Sequence, residues 1–178
     1  MLPQPYPLAM NPILARAVAR QEDALGVPLD YLRTIGDTST AALLKMAAFQ
    51  PLASHRREAP ADAWHLARLA ATRVQDCGTC VQIVVNQARA DGVESRVLRA
   101  ALDGDEGALT DGQRLAVRFG EAVTSREEAR AAGDAVADWF GEAVRVELAL
   151  AVATSQVFPI LKRGLGQDLA CALVQVEV

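Results

Sequence analysis

Helix start and stop signals recur along almost the whole chain, and they constrain its fold more than any other feature of the sequence. Asn11 is an N-cap residue, Pro12 follows it at the first helical position, and Gly26 supplies the matching stop. Further along, residues 61–74 carry apolar side chains at the mixed helical spacing of a buried element. These patterns predict a succession of helices, many of them with recognisable start and stop residues.

Two pairs of residues have the spacing of a capping box, in which the N-cap and the third helical residue bond to each other's backbone. Thr110 with Gln113 predicts the start of one helix, and Ser125 with Glu128 predicts the start of the next. We therefore expect two short helices here, followed by one long helix.

The segments between these signals leave little room for strands. Residues 171–178 alternate in a strand-like way but have no obvious partner strand, so we leave them unassigned. The fold class is therefore predicted to be all-α. The predicted helices span 12–25, a short turn 30–35 ended by Gly36, 39–50 ended by Pro51, 61–74, 78–91, 94–102, the two capped segments and 142–165.

The composition fits one folded domain. The chain has 178 residues, of which 51% are hydrophobic and 22% charged, a globular balance and not a disordered one. We expect a single all-α domain over residues 1–178. It divides into an N-terminal arm and added helix (1–38), a core (39–165) and a C-terminal tail (166–178).

Charge and cysteine content exclude several classes of protein. The net charge of −4 argues against a nucleic-acid partner, because such proteins normally carry a basic stripe. No stretch approaches the roughly 18 uninterrupted apolar residues of a membrane span, and the first residues lack the basic region of a signal peptide. Three cysteines cannot all pair, unlike in a secreted disulfide scaffold. We expect a cytoplasmic protein without a membrane partner.

The sharpest chemical signal is the pair Cys77 and Cys80, spaced to form a disulfide across the first turn of a helix. A cysteine near a helix N-terminus is favoured as a thiolate, which makes Cys77 the more reactive thiol. Asp76 opposes this effect by charge repulsion, and Arg73 would assist it if its side chain folds toward the pair. The alternative is that both cysteines are small buried hydrophobic residues.

A structural zinc site is not expected. Such a site takes four ligands, commonly in two closely spaced pairs. The sequence contains no second pair of cysteines and no closely spaced pair of histidines. The candidate ligands are Cys77, Cys80, Cys171, His55 and His65.

An alanine-rich helix, a short break and a CxxC motif that opens a second helix together resemble the carboxymuconolactone decarboxylase superfamily. The cysteine pair is similar to that of its alkylhydroperoxidase D-like (AhpD-like) branch. The resemblance covers roughly residues 40–165 and implies an AhpD-like helical bundle. It is carried by residues 64–80 and on to Gly92, with similar downstream helices at 109–124 and 144–153.

The resemblance implies a thiol-dependent redox protein that reduces hydroperoxides or disulfides through Cys77 and Cys80. It implies a small-molecule substrate, a thiol reductant protein as partner, a homo-oligomer, and no metal or organic cofactor. In the family the second cysteine, here Cys80, is the peroxide-reactive one, whereas the helix dipole favours Cys77. Lactone or decarboxylation chemistry, as the superfamily's name suggests, is the less favoured reaction.

Peroxidase members of the family have a proton relay of a glutamate twelve positions before the first cysteine and a histidine four after the second. Those positions hold His65 and Val84 in this chain. Val84 cannot move a proton. His65 either replaces the glutamate as a base or is a hydrogen-bonded interior histidine. The alternative function is therefore a catalytically degenerate member that binds a small ligand or acts as an oligomeric scaffold.

A weak internal echo raises the alternative of a duplicated helical hairpin in the core. Residues 65–72 and 147–154 share four identical positions in register, and His65 of the first segment matches Glu147 of the second.

Gln82 and Asn86, on the predicted helix that follows Cys80, are candidate pocket-lining residues.

Overall fold

The computed structural model describes residues 9–167 and 177–178. Over these residues the chain forms α-helices and one 3₁₀ turn and contains no strand, which confirms the all-α prediction. The helices are α1 (Pro12–Leu25), α2 (Asp30–Thr38), α3 (Thr40–Ala53), α4 (Ala61–Val74), α5 (Gly78–Ala90), α6 (Ser95–Asp103), α7 (Asp111–Ser125), α8 (Ala129–Phe140) and α9 (Glu142–Gly164), with the 3₁₀ turn at Glu106–Ala108.

The chain divides into two compact units, Met1–Pro51 and Leu52–Val178. In the first unit, the Asn11 side chain accepts the N–H of Ile13 at 2.8 Å, and Gly26 ends α1 in the left-handed conformation with φ 68°. Both ends of α1 are therefore as predicted. The assignment of the whole chain to a single domain stays a prediction.

Two predicted stops in the first unit are wrong. Gly36 lies inside α2, where a Cβ would stand 3.0 Å from a side-chain carbon of Leu43, so the glycine provides space for close packing. Pro51 lies inside α3, which continues to Ala53. A proline removes only one backbone donor, and here the helix ends within a turn of it.

The second unit is built around α4, which packs against α5, α7 and α9. Its Leu66, Ala67 and Leu69 are fully buried. The crossing with α7 is close, because a Cβ on Gly120 would overlap the backbone carbonyl of Ala67. The apolar faces of the neighbouring helices thus pack against a central helix that is rich in alanine and leucine.

Only one of the two predicted capping boxes is present. The Thr110 hydroxyl accepts the N–H of Gln113, and the Gln113 side chain accepts the N–H of Thr110 at 3.0 Å, which confirms the first. The prediction for Ser125 and Glu128 is wrong, since Ser125 is the last residue of α7. Left-handed backbone at Arg126 (φ 67°) and Glu128 (φ 53°) ends α7 and delays the start of α8.

The echo segments 65–72 and 147–154 lie in α4 and α9, which pack against each other, and duplication stays a prediction. By length and composition, Glu142–Gly164 is the one helix of the described ranges that could cross a membrane. Its Leu148 and Val152 are nevertheless buried in the core of the second unit. Cys171 lies outside the described residues, as does most of the unassigned tail.

Candidate functional site

Cys77 and Cys80 form a disulfide at the start of α5, with their Cα atoms 5.3 Å apart. Cys77 is the N-cap residue, as predicted, and its carbonyl accepts the N–H of Val81 at 2.9 Å. Cys80 therefore lies in the first helical turn, where backbone N–H groups have no intrahelical acceptor. The helix dipole acts on both sulfur atoms at this end of α5.

The turn before the disulfide is set by the end of α4. The Asp76 N–H bonds to the carbonyl of Arg73 at 2.9 Å, and Asp76 adopts left-handed backbone with φ 53°. The Arg73 guanidinium donates to the carbonyl of Ala101 in α6 at 2.7 Å. Arg73 is thus bound to the C-terminal end of α6. Among the described residues, it makes no contact with the cysteine pair that would support a thiolate there.

The disulfide lies in an apolar environment. Cys77 and Cys80 are each 5% exposed, and Phe158 of α9 packs against both. Sequence reasoning missed Phe158 because nothing in the local sequence of α9 links it to a motif eighty residues earlier. Only long-range helix packing brings the ring to the sulfur atoms.

His65 does not lie beside the cysteine pair. Its Nε2 is 2.9 Å from Oδ2 of Asp91, the residue that caps the C-terminal end of α5. Cys80 lies near the opposite end, and eleven residues at 1.5 Å per residue separate it from Asp91 by about 16 Å. This geometry does not support His65 as a base for these cysteines, because α4 and α5 run antiparallel and place it at the other end of α5.

The surroundings of His65 are those of a neutral interior histidine. The side chain is 1% exposed, and its Nδ1 faces a guanidinium nitrogen of Arg68 at 3.5 Å. Because a guanidinium can only donate, Nε2 carries the proton and donates it to Asp91. Burial lowers the pKa of His65 to about 4, and the hydrogen bond that His65 donates to Asp91 offsets only part of that effect.

The other predicted residues on α5 do not supply a proton relay. Val84 is 3% exposed within the apolar core. The Gln82 amide bonds twice to the backbone of Glu177, donating to its carbonyl at 2.9 Å and accepting its N–H at 2.7 Å. Gln82 also donates to Asn86 at 2.8 Å. Gln82 therefore holds residue 177 against α5, and Asn86 accepts a hydrogen bond from Gln82.

Glu147, the residue that matches His65 in the internal echo, has a different environment. Its carboxylate accepts the backbone N–H groups of Arg57, Glu58 and Ala59 at 2.9–3.2 Å. Burial alone would raise the pKa of Glu147, but the three backbone bonds outweigh it and the net pKa is lowered. Glu147 thus anchors the segment that leads into α4.

No group of His, Cys, Asp and Glu side chains suited to hold a metal ion lies within the described part of the chain. Comparison with known proteins finds no match to this chain among family models, curated proteins or solved structures. What the chain does must therefore be argued from its own residues, above all from the disulfide at the start of α5.

Proposed function

We propose that the chain is a thiol-dependent redox protein of the AhpD-like type, which reduces hydroperoxides or disulfides through Cys77 and Cys80. One observation carries this proposal: the two cysteines are joined within the first turn of α5, with Cys77 at its N-cap. A Cα separation of 5.3 Å is within the ordinary disulfide range, so both redox states fit one backbone.

The proposed reaction begins from the dithiol. One thiolate attacks the terminal oxygen of a hydroperoxide, the O–O bond breaks, and a sulfenic acid forms. The alkoxide takes up the proton that the thiol released on ionising and leaves as the alcohol. The second thiol attacks the sulfenic sulfur, the disulfide forms and water leaves. Two electrons have then passed from the two sulfurs to the peroxide. An external dithiol, small or carried by a reductant protein, returns two electrons and two protons by thiol–disulfide exchange.

The site supports a small organic oxidant better than a large one. Phe158 packs against the cysteine pair, and each cysteine is only 5% exposed, so a protein disulfide would have to displace this side chain to reach the sulfur atoms. The helix dipole favours Cys77 as the attacking thiolate, and the family resemblance favours Cys80. Trapping the sulfenic acid in each single variant decides between them.

A second candidate function is a catalytically degenerate protein that binds a small ligand or acts as an oligomeric scaffold. The observation in its favour is that neither relay position serves the sulfurs. Val84 is apolar and His65 lies at the far end of α5. In that case the disulfide is a structural link, and the reduced pair is inert to peroxide.

We also propose that the protein acts in the cytoplasm as a homo-oligomer. Apolar side chains exposed on α8 and α9 support association: Trp139 is 57% exposed, Val146 50% and Ile160 56%. Sedimentation of the reduced chain over a range of concentrations tests the oligomeric state. A monomer at every concentration contradicts the proposed homo-oligomer.

Counting free thiols tests the redox proposal. In a Cys171→Ser background, the reduced chain is treated with one equivalent of tert-butyl hydroperoxide. We expect two thiols to be lost within minutes and a Cys77–Cys80 disulfide in the peptide map. Cys77→Ser and Cys80→Ser should each lose at most one thiol, and a dimedone adduct then marks the attacking cysteine. No loss of thiols in the parent, or a loss of thiols without a Cys77–Cys80 disulfide, would overturn the proposal.

A further inference from the structure

A group of polar side chains lies at the end of α5 remote from the disulfide. This group, the Arg68 cluster, consists of Trp64, His65, Arg68, Gln87 and Asp91. The Arg68 guanidinium donates to the Gln87 side-chain oxygen at 2.9 Å and faces Nδ1 of His65 at 3.5 Å. Its central carbon stands 4.3 Å from the centroid of the Trp64 ring. The cluster therefore joins a cation, an indole and a neutral imidazole.

Two buried donors in this cluster lack an acceptor. Nε of Arg68 and Nε1 of Trp64 are both shielded from solvent, and neither forms a hydrogen bond with any group of residues 9–167 and 177–178. The Trp64 side chain is only 4% exposed. Buried N–H groups are almost always paired, so two unpaired donors on touching side chains point to a missing acceptor.

The charge of Arg68 is only partly compensated, because the nearby carboxylate of Asp91 is shared with other groups. In the described ranges, no carboxylate forms an ion pair with it, although the buried guanidinium needs a partner. The nearby carboxylate of Asp91 is bound by His65 at 2.9 Å and by Arg56 at 3.2 Å. Burial lowers the pKa of Arg68 to about 10, which still leaves it charged at neutral pH. Arg56, Arg68 and Asp91 together therefore carry two positive charges and one negative charge.

We propose that the Arg68 cluster binds a small free carboxylate, with Nε of Arg68 and Nε1 of Trp64 as the donors. A carboxylate has two acceptor oxygens on a planar group, which suits a planar guanidinium beside an indole N–H. Its single negative charge matches the net positive charge of Arg56, Arg68 and Asp91. This site is separate from the cysteine pair and does not depend on the redox function proposed above.

The indole N–H resonances of the folded chain report on this site directly. There are two tryptophans, and Trp139→Phe assigns the resonance of Trp64. Sodium acetate, sodium chloride and sodium phosphate are each titrated into low-salt buffer. We expect acetate to shift the Trp64 resonance saturably, with weaker effects from the other two salts, while Trp139 stays unmoved. A Trp64 resonance that does not move, or that moves equally and without saturation in all three salts, overturns the proposal.

Variants separate binding from folding. Arg68→Lys keeps the charge but removes the Nε donor, so acetate affinity should fall about tenfold or more. Gln87→Glu supplies a carboxylate beside the guanidinium and should abolish the acetate response while the chain stays folded. Arg89→Lys, an exposed arginine on the same helix, serves as the matched control. Unchanged acetate binding in both Arg68→Lys and Gln87→Glu would contradict the assigned donors.

Discussion

The carboxylate of Glu147 in α9 accepts the N–H of Ala59, 88 residues earlier, at 3.0 Å. The same carboxylate accepts the N–H groups of Arg57 and Glu58. One buried side chain therefore satisfies three consecutive donors just before α4 begins. A carboxylate suits this position because three donors converge on its two oxygens, and charge-assisted bonds of this kind are the stronger class.

We expect Glu147→Ala to lower the free energy of unfolding by about 2–4 kcal/mol, because it leaves three partly buried N–H groups without an acceptor. Glu147→Gln should cost less, since the amide oxygen still accepts. Urea denaturation measures both. Glu142→Ala on the same helix is the control, since Glu142 forms an exposed ion pair with Arg145 and should cost at most about 1 kcal/mol. Equal losses at the two positions would contradict this account.

His65 makes stability depend on pH. Its folded pKa of about 4 lies below its ordinary 6.5, so between these pH values the unfolded chain binds a proton that the folded chain does not. The contribution of neutral His65 to stability is fully present above pH 6.5. As the pH drops from 6.5 toward 4, the free energy of unfolding falls by roughly 3 kcal/mol. Urea titrations across that window measure the drop. His65→Gln should show a smaller pH dependence, and an unchanged slope would contradict the assignment.

Gly120 controls how closely α7 approaches α4. A Cβ at this position would overlap the carbonyl of Ala67, and a backbone atom cannot rotate away. Gly120→Ala should therefore destabilise the fold by about 2–3 kcal/mol. At Gly133, in the interior of α8, the nearest atoms stand 3.8 Å from the same built Cβ. Gly133→Ala should be neutral or stabilising by up to about 1 kcal/mol, and melting curves that rank the two variants in the opposite order would contradict this packing.

Phe158 limits access to the disulfide. Its ring packs against Cys77 and Cys80, so Phe158→Ala should let dithiothreitol reduce that disulfide about tenfold faster. The rate is read from the appearance of free thiols in the Cys171→Ser background. Phe140→Ala, an aromatic truncation on α8, controls for general loosening of the core. If both variants accelerate reduction equally, the ring is not a specific cover.

The parts of the fold that depend on neighbouring residues could be predicted from sequence. Asn11 with Gly26 and Thr110 with Gln113 act through contacts within a turn, and all four behave as expected. The stop predicted at Pro51 is wrong, because the cost of a proline depends on how soon the helix ends after it. The second predicted capping box is wrong because left-handed backbone at Arg126 and Glu128 separates α7 from α8, and non-glycine residues rarely indicate that conformation in a sequence.

The candidate site can likewise be predicted only where it depends on residues within one helical turn of each other. The spacing of Cys77 and Cys80 within one turn specifies their relation, including the N-cap position. The position of His65 relative to them depends on how α4 and α5 pair, and that pairing places it beside Asp91. The unpaired Nε donor of Arg68 is also a property of packing, because in the sequence Arg68 is simply one arginine of a helix.

Catalytic turnover tests the central claim most directly. The reduced chain is mixed with excess tert-butyl hydroperoxide and dithiothreitol, and peroxide consumption above the uncatalysed rate is followed in the Cys171→Ser background. We predict many equivalents consumed per chain, and loss of this activity in both Cys77→Ser and Cys80→Ser. No consumption beyond the uncatalysed rate, or consumption that survives in both variants, would show that the Cys77–Cys80 pair is a structural link and not a redox centre.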